Sequence, residues 1–174
     1  MVSRSGESAV RNPTSDAEDA ALAFMTASPA LLGISLRSVA AAPVPLTVPQ
    51  HRLLVLVSSD GPRRVGTLAD DLGVNQSNAS RLVARLAAQG LVRRIEDPGD
   101  RRASLVGVTD VGQHVLDAVS VLRLRELRAV VGAMRPETWD LAVQVLSEFN
   151  AAAPETEARP PVDPERQPDT SPDC

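Results

Sequence analysis

TLADDLGVNQSNASRLVARLAAQG, Thr67 to Gly90, decides how the rest of the chain is read. Thr67 to Leu72 forms a short helix that Gly73 ends, glycine being the residue that turns left-handed without a steric penalty. Asn75 then caps a second helix, because its short side chain can accept from the first free amides. In that helix Ala79, Leu82, Val83 and Leu86 share one face, while Gln76, Ser77, Asn78, Ser80, Arg81 and Arg85 lie away from it. Gly90 terminates it. A short helix, a glycine turn and a second amphipathic helix predict a helix-turn-helix.

The residues that follow predict a hairpin. LVRRI, Leu91 to Ile95, is strand-like, EDPGDRR is a turn, and ASLVGV, Ala103 to Val108, returns as a second strand. Thr109 caps a long helix to about Val131. Its apolar positions, among them Val111, Val115, Leu116, Val119, Leu122, Leu127, Val130 and Val131, cover more than one stripe. Such a helix needs two partners, its own core and something else. Pro136 to Asn150 is a last helix carrying Trp139, Leu141, Val145, Leu146 and Phe149.

Upstream, Asp16 to Ala27 reads as one helix. Ser28 and Pro29 read as the start of another, an N-cap followed by proline at the first helical position, running to Ala41. Prolines 43 and 45 break it. Thr47 opens a further helix with Pro49 in its first turn, and HRLLVLVSS is apolar enough to be buried. DGPRR, Asp60 to Arg64, reads as a turn.

The bulk numbers bound the function. The chain has 174 residues, 43% of them hydrophobic, which suits one domain with a core. No apolar run approaches the ~20 residues of a membrane span, and the first ten residues have no signal-peptide core, so a soluble cytoplasmic protein with no membrane partner is expected. The one cysteine, Cys174, excludes an intramolecular disulfide and a Cys-rich metal site. His51 and His114 lack the spacing of a metal pair and read as packing or interface residues. With no phosphate loop, nucleophile elbow or metal motif, no enzyme and no cofactor are expected.

Net charge is −4, yet the charge is unevenly spread. Arg63 to Arg102 holds eight arginines and five acids, whereas Ala151 to Cys174 holds two arginines, six acids and six prolines. The middle is therefore locally basic and the tail acidic, which leaves nucleic acid open as a partner. A helix fits the major groove of double-stranded DNA, where amides read adenine, arginine reads guanine and hydroxyls bind bases or phosphate. Gln76, Ser77, Asn78, Ser80 and Arg81 are the candidates for that groove.

LTVPQHRLLVLV (46–57) and LADDLGVNQSNASRLVARLAAQGLVRRIEDPGDRRASLVGVTDVG (68–112) together resemble the multiple antibiotic resistance regulator (MarR) family of bacterial winged-helix transcription factors. QGLVRR, the DPGDRR turn and the Thr109–Gly112 pattern carry the resemblance. It implies a mainly α fold with a small β-hairpin wing, a winged helix-turn-helix with N- and C-terminal dimerisation helices. It also implies a homodimer on pseudo-palindromic operators, a transcriptional regulator expected to be a repressor, and release by a small-molecule effector. It matches Arg102 to the family's minor-groove arginine and Asp100 to the acid that orients it. Arg101, Arg63, Arg64 and Arg85 are phosphate candidates, and Arg37, His51 and Leu36 are candidates for an effector pocket. Gly107 and Val108 depart from the family's usual polar-then-leucine pattern, which is expected to loosen the return strand. The resulting division is a disordered 1–15, dimerisation helices at 16–45, the DNA-binding domain at 46–108, dimerisation helices at 109–150 and a disordered acidic tail at 151–174. The competing reading is a dimeric winged-helix interaction module without specific DNA binding.

Overall fold

The computed structural model describes residues 13–97 and 99–153, with the side chains of 13–15 and 100–103 outside the description. The segments expected to be disordered lie outside the described residues, except 13–15, which open the first helix, and 151–153, which close the last. Cys174 also lies outside them.

Helix α1 spans Pro13–Ala40 without interruption. The expected break at Ser28 and Pro29 is therefore corrected, and the reason is local. Proline 29 has no N–H to give the carbonyl of Met25 four residues back. The Ser28 hydroxyl donates to that same Met25 carbonyl at 2.8 Å, so the helix passes through with its acceptor satisfied. Continuity has a second consequence. Between Asp16 and Ala40, α1 is long and apolar enough by length and composition to cross a membrane, against the expectation of no such run. Leu22, Met25, Leu31, Leu32 and Leu36 are all exposed on it.

Helix α2, Val48–Ser59, starts at the expected cap. Thr47 accepts from the Gln50 amide, and Gln50 Oε1 accepts from the Thr47 amide at 2.9 Å, a reciprocal capping box. Asp60, Gly61 and Pro62 lead into strand β1, Arg63–Arg64. This strand corrects the reading of DGPRR as turn alone. Arg63 pairs with Val106 and Arg64 with Leu105. Two residues have too little pattern to announce a strand; a neighbouring strand with open amides supplies the reason for it.

Helix α3, Val65–Leu72, and helix α4, Gln76–Ala88, form the helix-turn-helix. Gly73 has φ 65°, and the amides of Gly73 and Val74 bond back to Asp70 and Ala69, closing the last turn of α3. Asn75 Oδ1 then accepts from the Asn78 amide at 2.8 Å. The end of α4 repeats the closing device: Gly90 has φ 72°, with Gly90 bonded to Ala87 and Leu91 to Leu86.

Strands β2, Val92–Asp97, and β3, Asp100–Val108, are antiparallel and longer than the apolar pattern indicates. The sheet order is β1-β3-β2. Gly107 does not loosen β3: a Cβ there would come within 2.6 Å of Ile95 Cδ1, so glycine lets the side chain of Ile95 close over the strand.

Helix α5, Asp110–Gly132, is capped by Thr109, and a single 3₁₀ turn, Pro136–Thr138, leads to helix α6, Trp139–Ala152. Leu53, Leu54 and Val57 of α2, Leu68 of α3, Val83 and Leu86 of α4, Leu91 just before β2, Val92 and Val106 of the sheet, and Val115 and Leu116 of α5 form one core. That core holds the helix-turn-helix, the wing and the first half of α5 as a unit. The other half of α5 joins α1 and α6 instead. Phe24 stacks on Phe149 with ring centroids 4.5 Å apart, and Trp139 Nε1 donates to the Val131 carbonyl at 3.1 Å. No residue of α6 is buried, and Leu141, Val145, Leu146 and Phe149 are exposed.

Candidate nucleic-acid interface

Helix α4 is fixed by what it buries. Ala79, Val83 and Leu86 are at most 1% exposed, packed in the core. Helical geometry then turns Ser77 and Arg81 to the opposite side. Gln76, Ser77, Arg81 and Arg85 are exposed, and Asn78 and Ser80 are half-buried on the flanks. The expected major-groove residues are thus brought together on one helix face. Arg81 donates to the Oδ1 of Asn78 one turn earlier, and the Asn78 amide is held by Asn75.

The expected phosphate arginines fall into two groups. Arg85 stands exposed on the outward side of α4. Arg63 is held between Asp60 at the end of α2 and Asp71 of α3, the latter at 2.5 Å. Arg64 donates through Nε and Nη2 to Asp97 at 2.8 and 2.5 Å, tying β1 to the end of β2. Arg63 and Arg64 are therefore engaged with carboxylates as well as being basic. The acids that hold them escaped the sequence reading; Asp60 lies only three residues from Arg63, but Asp97 meets Arg64 across 33 positions only when β1 joins the sheet.

The wing carries further arginines. Arg93 and Arg94 of β2 are exposed, and Arg94 donates to Ser104 Oγ at 2.9 Å. The backbone of Asp100, Arg101 and Arg102 begins β3 opposite β2. Their side chains, on which the minor-groove reading falls, lie outside the described residues.

The three effector candidates sit in different settings. Arg37 is bonded to Glu126 of α5, with Nη2 to Oε2 at 2.6 Å. Leu36 lies on the exposed side of α1, away from the buried Ile34 and Ser38. His51 is half-buried, and burial followed by the Arg123 charge pushes its pKa from 6.5 down to about 4. Arg123, whose own pKa burial lowers, donates from Nε to Ser38 Oγ at 3.3 Å, and Ser38 is fully buried. Sequence reasoning missed Arg123 and Ser38, since nothing in their spacing relates them to His51. Among the described residues there is no group of three or more His, Cys, Asp or Glu able to hold a metal.

Known proteins resemble this chain in sequence and in fold. The MarR family pattern matches residues 44–103. YxaD of Bacillus subtilis, an uncharacterised HTH-type transcriptional regulator, is 31% identical over 102 residues, which span 59% of this chain and 71% of that protein. This chain belongs to the MarR family. The crystal structure of RV1404 from Mycobacterium tuberculosis superposes on this MarR-family chain with a TM-score of 0.72 at 35% identity. The match covers 86% of this chain and all of that one. A MepR mutant of S. aureus, bound to an oligodeoxyribonucleotide, shares the fold with a TM-score of 0.57 at 16% identity, over 75% of this chain and 95% of that one. The expected fold class, mainly α with a winged helix-turn-helix, is borne out, and the protein is a transcriptional regulator of this family.

Proposed function

We propose that this MarR-family regulator acts as a homodimeric repressor on pseudo-palindromic operators in double-stranded DNA and is released by a small-molecule effector. The observation that carries the reading is the outward face of α4, polar and basic beside a wing that bears Arg93 and Arg94. Ser77, Asn78, Ser80 and Arg81, with Gln76 at the first turn, enter the major groove. Arg85 binds phosphate, and Arg64, half exposed, adds to it from the base of the wing. Arg63, held between two carboxylates, contributes least of the three. On this reading Arg102 enters the minor groove, whose narrow form concentrates negative potential, with Asp100 as the acid assigned to orient it and Arg101 beside it on phosphate.

Dimerisation follows from apolar surface. α1, α5 and α6 leave Leu22, Met25, Leu31, Leu32, Val130, Val131, Leu141, Val145, Leu146 and Phe149 exposed. Covering that surface with the same helices of a second copy brings two α4 helices onto successive half-sites, and a two-fold protein reads a palindrome. An effector binds where α1, α2 and α5 meet, at Arg37 and His51, between the dimer helices and the DNA-binding unit. Leu36 sits on the side of α1 that the partner helices cover.

The test is selection of genomic DNA fragments by the purified full chain at about 150 mM salt, where nonspecific binding is weak. Recovery of a pseudo-palindrome with a steep negative salt slope is expected. A folded dimer that enriches no sequence would favour an interaction module instead. Leu146→Glu, which places a charge in the exposed apolar face of α6, is expected to give a monomer by light scattering with greatly weakened operator binding.

A further inference from the structure

The Asn78–Arg81 contact narrows what α4 can read. A guanidinium carries five N–H donors and no acceptor. The amide atom facing Arg81 is therefore the carbonyl oxygen of Asn78, as the Oδ1 contact records. Asn75, the other asparagine at this end of α4, also spends its Oδ1 internally, on the Asn78 amide at 2.8 Å. Asparagine reads adenine by using both ends of its side-chain amide, Oδ1 accepting from N6 and Nδ2 donating to N7. While its oxygen is turned along the helix to Arg81, Asn78 does not aim Oδ1 and Nδ2 together at one adenine edge. Arg81 keeps the donors that Asn78 does not take, on an exposed side chain. Guanine offers two adjacent acceptors in the major groove, O6 and N7, and adenine offers one beside a donor.

Building on the DNA-binding reading above, we propose that Asn78 and Arg81 form one guanine-reading unit. Arg81 donates to O6 and N7 of a guanine in each half-site, and Asn78 is a positioning residue that holds the guanidinium. The pair discriminates against adenine at that position and does not use the asparagine for adenine at all. This differs from assigning adenine to the amides and guanine to the arginine separately, as residue type alone suggests.

The experiment is selection from a randomised DNA library by the full chain, followed by binding to the selected site. Guanine is expected at one fixed position of each half-site. Replacing it with 7-deazaguanine, which lacks N7 but keeps O6, should weaken wild-type binding roughly two- to tenfold, about half the free energy of a bidentate arginine–base contact. Arg81→Ala should lose both the guanine preference and the sensitivity to 7-deazaguanine. Asn78→Ala should reduce the preference at that same position with an unchanged salt slope. Asn78→Asp, which keeps an acceptor for Arg81, should retain the preference even if overall affinity falls. Thermal melting of each variant separates altered reading from altered folding. An adenine preference that disappears with Asn78→Ala would overturn the proposal, as would a guanine preference that survives Arg81→Ala. A wild-type protein that enriches no sequence would overturn the DNA-binding reading itself, a different result from enrichment without guanine.

Discussion

Gly112 lies against the carbonyl oxygen of Leu91 so closely that no side-chain carbon fits between them. Around this contact, the Thr109 amide donates to the Leu91 carbonyl at 3.1 Å, and the Thr109 hydroxyl donates to the Gly90 carbonyl at 2.6 Å. The same Thr109 Oγ1 accepts from the Gly112 amide at 3.0 Å. The end of helix α4 and the start of the long helix α5 are thus fastened at one point.

Gly112→Ala therefore forces backbone apart at that junction. The expected cost is about 2–3 kcal/mol, the upper part of the range for overpacking a site that cannot relax. Gly132→Ala is the control. A Cβ there meets nothing within 4 Å, and the change is expected to be neutral or to stabilise by up to ~1 kcal/mol through the unfolded chain. Urea denaturation of the two variants checks both.

The Ser28 bond to Met25 is expected to matter only because of Pro29. In the natural chain, Ser28→Ala leaves the Met25 carbonyl to solvent and should cost about 0.5–1 kcal/mol. In a Pro29→Ala background, alanine supplies the missing N–H and the serine effect should shrink toward zero. The double-mutant cycle measures that coupling. Additive effects would mean that the hydroxyl does not substitute for the missing amide.

His51 makes stability depend on pH in a defined window. Its folded pKa is about 4 against 6.5 for the ordinary residue, because burial and then Arg123 disfavour the imidazolium. The unfolded chain therefore takes up a proton first as pH falls. The contribution of neutral His51 is complete above about pH 6.5 and is lost progressively as pH drops toward 4. At pH 5 the loss amounts to roughly 2 kcal/mol. His51→Gln, which does not titrate, should flatten the profile between pH 7 and 5. A profile unchanged by that substitution would assign the acid sensitivity elsewhere.

Two arginines should weaken DNA binding in different ways. Arg102→Ala, at the proposed minor-groove position, is expected to cost about 1–3 kcal/mol of operator affinity and to relax selectivity for an A·T-rich flank. Arg85→Ala, at the proposed phosphate contact, should weaken all sequences alike and reduce the salt slope by about 0.9. Fluorescence anisotropy across a salt series distinguishes the two patterns. Equal losses on operator and random DNA for both variants would reject the minor-groove assignment.

Local signals were written clearly in the sequence wherever one residue type serves one backbone task. Thr47, Asn75 and Thr109 mark three helix starts, Gly73 and Gly90 two helix ends, and each does so in the structure. The spacing of Ala79, Val83 and Leu86 also determined which face of α4 is buried, and so which side chains stand on its outer side. Composition alone misread α1, since Ser and Pro in sequence are the same two residues whether they start a helix or pass through one. Only the folded helix shows the Ser28 hydroxyl on the Met25 carbonyl. The tertiary structure likewise decided strand β1, the pairing of Arg64 with Asp97 across 33 positions, and the grouping of His51 with Arg123 and Ser38. These relations join residues far apart in the chain, and periodicity reports only what lies within a few turns. Caps and amphipathic faces are local consequences of backbone geometry; which charge meets which is set by how the helices and the wing close on their shared core.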